Sequence, residues 1–306
     1  MTDITTEICG VRLSNPAILA SGIMGVSGSA LVFVAKNGAG AVISKSISPR
    51  EREGHNNPVL TEFEGGFLNA VGLPNSGVEN SLDEMEFAIK NASSPVIPSI
   101  FGRTAEEFAI VAERMSSIKP QIMEVNLSSP TFSIPGFVQR PFALHTEEAA
   151  KVVSCVKDAT KVPIMVKLAP NVPDIKEIAR AVEEAGADAI SAINTMPGMA
   201  IDIEAGRPVL HNKSGGVSGP ALKPIAVKCV YDIYEAVDVP VVGIGGVTYG
   251  ADAVEMMMAG ACAVEIGTGI YYRGIEIFNL VSKEIEEFMS AHGYGKLKDI
   301  TGVAHD

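Results

Sequence analysis

Eight short apolar runs in this 306-residue sequence end in a chemically capable residue or in glycine: Ser21, Lys45, Ser99, Asn126, Lys167, Asn194, Gly245 and Gly267. A lysine that closes a buried strand needs a partner, because an unpaired ammonium is costly away from water. Lys45 and Lys167 could neutralise an anionic ligand, stabilise an anionic ring, form a Schiff base as in aldolase-type barrels, or simply pair with a carboxylate. Asn69, Asn126, Asn194 and Thr195 offer amides and a hydroxyl suited to a flat ligand with several carbonyl and N–H edges. The candidate nucleophile or base is Ser129, in the stretch Glu124-Val125-Asn126-Leu127-Ser128-Ser129-Pro130-Thr131. A hydroxyl acting as a base needs a low-dielectric, hydrogen-bonded setting; taken alone, Ser129 reads more ordinarily as a turn or cap. The five histidines (His55, His145, His211, His292, His305) form no motif with it, so a Ser-His-Asp hydrolase is not indicated. Gly245-Gly246 and Gly267-Thr268-Gly269 follow the last two runs, where barrels frequently hold phosphate on backbone N–H groups; the alternative is a tight-turn role. Gly215-Gly216-Val217-Ser218-Gly219 is a weaker third patch.

The elements that must position these residues alternate regularly. Strands are expected at 17–20, 41–43, 96–100, 122–125, 162–168, 188–193, 239–244 and 263–266, after a small hairpin at 7–13. Helices are expected at 29–37, 80–91, from Thr104, from Thr146, at 174–186, 221–236 and 249–259, with a last one over 270–291. Thr104 with Glu107 forms a capping-box pattern. Ile175, Ile178, Ala179 and Val182 fall at i, i+3, i+4 and i+7, and Gly186 stops that helix. Eight β/α alternations with right-handed crossovers predict a (β/α)8 TIM barrel of the α/β class, a single domain over residues 1–306. Three long insertions, at 47–78, 130–145 and 196–220, read as irregular loops at the mouth. Phe67 to Leu73 is apolar enough to fold back over a pocket.

Composition narrows the function classes. The net charge of −12 and the lack of a basic stripe argue against nucleic-acid binding. Cys9, Cys155, Cys229 and Cys262 are far apart and form no CxxC or Cys/His cluster, so no metal site, disulfide framework or iron–sulfur cluster is expected in this chain. The apolar runs are broken by Glu255 and Glu265, and none reaches the ~20 residues of a membrane span. With no signal peptide visible, a cytoplasmic protein is expected.

From Val11 to about Ala291 the sequence resembles the FMN-dependent dihydroorotate dehydrogenases of class 1, and most of all the class 1B catalytic subunits. The resemblance rests on Ser44-Lys45-Ser46, Asn69-Ala70-Val71-Gly72-Leu73, Val125-Asn126-Leu127-Ser128-Ser129-Pro130, Val166-Lys167-Leu168-Ala169-Pro170-Asn171, Gly198-Met199-Ala200-Ile201-Asp202 and the run 215–225. It implies FMN held by Ser21, Lys45, Ser46, Ser99, Asn126, Lys167, Ile193, Gly219, Gly245, Gly246, Gly267 and Thr268. It implies substrate against Lys45, Asn69, Ala70, Val71, Gly72, Leu73, Asn126, Asn194 and Thr195, with Ser129 and Lys45 catalytic. The reaction implied is oxidation of dihydroorotate to orotate in pyrimidine synthesis. Another dihydropyrimidine, or Schiff-base lyase chemistry at Lys45 or Lys167, stands as the alternative. A homodimer is implied, with an electron-transfer subunit carrying FAD and an iron–sulfur cluster and NAD as final acceptor. Three positions depart from the pattern: Ser129 where class 1 usually has Cys, Thr131 where Asn is usual, and Ser99 where class 1B often has Asn.

Overall fold

Runs of small and β-branched residues form the barrel strands because both faces of each are buried, one by the barrel interior and one by helices. In the computed structural model, which describes residues 2–127 and 142–305, these strands are β1 (Ala17–Leu19), β2 (Ala41–Ile43), β3 (Val96–Ile97 and Ser99–Ile100), β4 (Met123–Asn126), β5 (Ile164–Leu168), β6 (Ala189–Ala192), β7 (Val241–Ile244) and β8 (Ala261–Ile266). All neighbouring pairs are parallel. β3 is divided at Pro98, which has no N–H to give a ladder. Its first half pairs with β2 and its second half with β4, so this one divided strand closes the barrel. The expected TIM barrel is the fold observed.

Helices α1 (Gly28–Lys36), α2 (Val78–Asn91), α3 (Ala105–Ser116), α4 (Thr146–Ala159), α5 (Ile175–Glu184), α6 (Lys223–Tyr234) and α7 (Gly250–Met258) cover the outside. Their starts follow local chemistry. The Thr104 hydroxyl accepts from the Glu107 N–H at 3.2 Å, and the Asp174 carboxylate accepts from the Lys176 N–H at 2.8 Å. The Glu107 carboxylate reaches back one residue further than a standard box, to the Arg103 N–H at 2.7 Å. In α5, Ile175, Ile178, Ala179 and Val182 are buried as their spacing requires.

Two expectations change. The last helix is two, α8 (Gly269–Arg273) and α9 (Ile277–His292), separated at Gly274, whose φ of +66° ends the first. The insertions at 47–78 and 196–220 are not irregular throughout. Leu60–Phe63, Gly66–Asn69, Gly215–Ser218 and Met196–Gly198 form a four-stranded antiparallel sheet above the barrel mouth. Glycine is needed where these strands meet: a Cβ on Gly66 would collide with the Ser218 carbonyl, and one on Gly215 with that of Asn69.

The opposite end of the barrel is closed by the hairpin Thr6–Ile8 and Val11–Leu13, turned by Cys9 (φ +51°) and Gly10 (φ +77°). Ile8 and Leu13 pack against Ile18, Ile43, Ile97, Ile122, Met165, Ala189, Val242 and Ala263, one apolar residue from each strand or the residue leading into it. The helix–sheet core includes fully buried Phe108, set edge-on between Phe101 and Phe142 with centroids 6.0 and 5.9 Å away. Phe108→Ala should cost about 3–5 kcal/mol. Urea denaturation should show a lower midpoint at unchanged slope.

Candidate active site

Strand side chains alternate between faces, so the residues two beyond that apolar layer point inward one level higher. They are Ala20, Lys45, Ser99, Glu124, Lys167, Ser191, Ile244 and Glu265. Six of the eight are polar or charged. The barrel therefore has a sealed apolar end and a polar layer at the carboxyl end of its strands, the end where barrel enzymes carry their sites. Above that layer lies a cavity of about 440 Å³.

Three ionisable groups meet inside. The Lys167 ammonium lies 3.1 Å from Glu265 Oε2 and 3.6 Å from Glu124 Oε2, and its side chain is 5% exposed against 0% for both carboxylates. Burial alone would depress Lys167, but the two carboxylates outweigh it and raise its pKa above the usual lysine value. Burial pushes the Glu265 carboxyl up to about 8 against the pull of Lys167, and the neighbouring Glu124 adds to the rise. Lys167 also donates to Ser21 Oγ at 3.4 Å. Glu124 is well supplied with donors: Ser99 Oγ donates to its Oε1 at 2.8 Å, and Ser191 Oγ lies 3.5 Å from its Oε2.

That network continues to the cavity wall. Ser99 spends its one proton on Glu124, so Ser46 Oγ, 3.0 Å away, must donate to Ser99; Ser46 in turn accepts from Asn126 Nδ2 at 2.9 Å. Asn126, Ser46 and Ser99 thus form one directed chain that ends on Glu124, which Lys167 faces from the other side.

Lys45 differs from Lys167. It lines the cavity, burial lowers its pKa, and among the described residues no hydrogen bond or ion pair reaches its ammonium. Asn69, Asn194 and Thr195 line the same cavity. Asn69 is oriented by donating to the Gly216 carbonyl at 3.3 Å, and the Thr195 N–H donates to Asn194 Oδ1 at 2.8 Å. Gly72 (φ +80°) and Leu73 (φ +56°) turn the adjoining loop, which His55 braces by its contact with the Ala70 carbonyl at 3.0 Å.

The remaining wall is backbone. Gly219, Gly245 and Gly246 have φ of +101°, +127° and +76°. A Cβ on Gly219 would approach Gly66 Cα to 2.7 Å, and one on Gly246 would approach Lys223 Cβ to 2.6 Å. Gly267 is different: a Cβ there would make ordinary contact with Ala20 at 3.6 Å. The fold does not demand glycine at 267, so the space it leaves belongs to the cavity. Thr268 Oγ1 donates to Ser218 Oγ at 2.9 Å and joins this wall to the mouth sheet.

Of the residues singled out from sequence, Ser21, Lys45, Ser46, Asn69, Val71, Gly72, Leu73, Asn126, Lys167, Ile193, Asn194, Thr195, Gly219, Gly245, Gly246, Gly267 and Thr268 line this one cavity. Ser99 does not: it is fully buried beneath Ser46 as a relay. Ala70 does not either; it packs with Leu68 and Leu210. Ser129 and Thr131 lie outside the described residues. Sequence reasoning missed Glu124 and Glu265, although an acidic residue inside an otherwise apolar strand was the available signal. It also missed Tyr271, which meets Phe67 of the expected pocket-covering segment edge-on at the rim with centroids 4.7 Å apart. Among the described residues no cluster could hold a metal ion, and no helix is long and apolar enough to cross a membrane.

The unpaired ammonium yields a prediction. A lysine whose folded pKa is depressed opposes folding at neutral pH, and that penalty fades as pH rises toward the ordinary value of 10.5. Lys45→Met should raise the melting temperature of the ligand-free protein at pH 7, by about 2–4 °C for each kcal/mol relieved. The same variant should lose anion binding in the cavity. Calorimetry at pH 7 and 10 checks the first part; a lower melting temperature at pH 7 would refute it.

Comparison with known proteins places the chain in a family. A family model described as dihydroorotate dehydrogenase matches residues 3–289. The dihydroorotate dehydrogenase B (NAD(+)) catalytic subunit of Methanosarcina mazei is 50% identical over 302 residues, covering 98% of this chain and 94% of that protein. The protein of the same name from Methanocaldococcus jannaschii is 48% identical over 306 residues, covering 99% and 98%. A crystal structure of the Eimeria tenella DHODH in complex with ferulenol superposes with a TM-score of 0.86 at 22% identity, covering 99% of this chain and 89% of that one, and shares the fold. With a match over nearly its whole length, the chain belongs to the dihydroorotate dehydrogenase family.

Proposed function

We propose that this protein oxidises dihydroorotate to orotate, a step of pyrimidine biosynthesis, with FMN in the cavity above the polar layer. One observation carries the reading. A single cavity joins an unpaired ammonium among amides to a glycine-built backbone wall. The first suits a small anionic ring with amide edges; the second suits a phosphate.

The residues present fit a flavin mononucleotide. Gly219, Gly245, Gly246, Gly267 and Thr268 would hold its phosphate by backbone N–H and hydroxyl. Ser21, Ser46, Asn126, Lys167 and Ile193 would hold its ring system, with Lys167 at the electron-rich side. FMN supplies the two-electron acceptor for the hydride leaving carbon 6 of the substrate. Lys45 neutralises the substrate carboxylate and is itself relieved of an unpaired charge. Asn69, Asn126, Asn194 and Thr195 meet the ring's carbonyl and N–H edges and fix its face. Ser129 takes the proton from carbon 5. A serine hydroxyl is a weaker acid than a thiol, so its deprotonated form is scarcer than in a cysteine-using relative.

Schiff-base chemistry at Lys167 is disfavoured, because its pKa lies above rather than below the usual lysine value. The curated relatives are named as NAD(+)-linked catalytic subunits. We extend that here to a homodimer working with an electron-transfer subunit that carries FAD and an iron–sulfur cluster, in the cytoplasm, the whole chain acting as one FMN-binding domain.

Purified protein should be yellow, and its flavin should bleach when dihydroorotate is added without oxygen; an unbleached flavin would overturn the reading. Ser129→Ala should keep its flavin and slow that bleaching by about 10²–10⁴-fold, whereas a near-parental rate would place the base elsewhere. Asn194→Ala should weaken orotate binding by roughly 2- to 10-fold, consistent with loss of a hydrogen bond to a polar ligand worth about 0.5–1.5 kcal/mol, measured by titration of the flavin spectrum.

A further inference from the structure

The Lys167 cluster holds two carboxylates for one ammonium, all inside the barrel. With both carboxylates ionised the cluster would carry a buried net charge of −1, which the interior disfavours. The hydrogen bonds decide which carboxyl keeps a proton. Glu124 receives Ser99 on one oxygen and lies near Ser191 and Lys167 on the other. Glu265 receives Lys167 on Oε2 alone, and its Oε1 is buried without a partner.

We propose that Glu265 is a positioning residue that stays protonated at neutral pH, fixing Lys167 while keeping the cluster neutral beneath the cavity. A neutral cluster lowers the cost of a negative charge forming above it; an ionised Glu265 would repel that charge. Every element around the group bears on the balance: Lys167 from β5, Glu124 from β4, and the hydroxyls of Ser21, Ser99 and Ser191. Lys45 is the only other charged side chain among the described residues that line the cavity. Burial raising the Glu265 carboxyl to about 8 agrees with the geometry. The sign follows. The folded chain keeps a proton that the unfolded chain loses above its ordinary value of 4.5, so this group makes folding less favourable as pH rises from there to about 8.

The first test needs no flavin. Infrared difference spectra of the flavin-free protein should show a carboxylic-acid C=O band that disappears with a midpoint near pH 8. The band should be absent in Glu265→Gln, and in Glu124→Gln, where Glu265 becomes the sole counter-charge to Lys167, its midpoint should fall below that of the parent. A parent without the band, or a band that survives Glu265→Gln, overturns the proposal. Glu265→Gln mimics the undissociated acid, so it should melt at or above the parent at pH 9; a variant that fails to fold shows that the charge is needed and also overturns it. The second test rests on the flavin reading. In reconstituted protein, the flavin midpoint potential should fall more steeply with pH across pH 8 in the parent than in Glu265→Gln. Parallel lines would remove the electrostatic role. A parent that takes up no FMN would instead count against the proposed function, leaving the infrared result to stand by itself.

Discussion

A single ammonium shared between two buried carboxylates sets the terms for the rest of this structure. Lys167, Glu124 and Glu265 come from three different barrel strands, so their distances hold only while those strands keep register. An ion cluster of this kind contributes little net stability, but removing Lys167 would leave buried carboxyl groups without their ammonium. The barrel meets this by enclosing the cluster in hydroxyls, Ser21, Ser99 and Ser191, and by sealing the layer below with aliphatic side chains. The result is a buried, hydrogen-bonded floor beneath the cavity.

The walls above that floor work by different means. On one side, Asn69, Asn126, Asn194 and Thr195 present side-chain dipoles, and the three amides are each tied to a neighbour by a hydrogen bond. Such groups discriminate between ligands by the positions of donors and acceptors. On the other side the wall is main chain, shaped by glycines whose conformations a side chain would strain. Backbone N–H groups give an anion a receptive surface with little specificity for what it is attached to. Lys45 stands apart from both, a cavity-lining charge without a counter-charge among the described residues.

The barrel was legible from sequence because each strand is a short apolar run with an abrupt polar or glycine stop, and each helix carries its own cap or stop. The mouth sheet was not. Asn69 and Gly216 meet across 147 residues of chain, and strands of three or four residues are too short for alternation to register. Most of the cavity-lining residues were legible because strand ends in register share one mouth. Ser99 was misplaced because Pro98 divides its strand and its hydroxyl is taken by Ser46 and Glu124. Glu124 and Glu265 escaped notice because a lone acidic residue in an apolar run reads as an interruption, whereas here each meets a lysine from another strand.

The mouth sheet has a further consequence. Its strands come from the insertions after β2 and β6, and its Leu68, Ala70 and Leu210 form a small core separate from that of the barrel. Roof and barrel can therefore diverge at different rates. Residues 60–69 and 196–218, exchanged together between relatives, would form a transplantable cassette that brings its own pairing. Either one exchanged singly would leave Gly66–Asn69 facing a strand it did not co-evolve with.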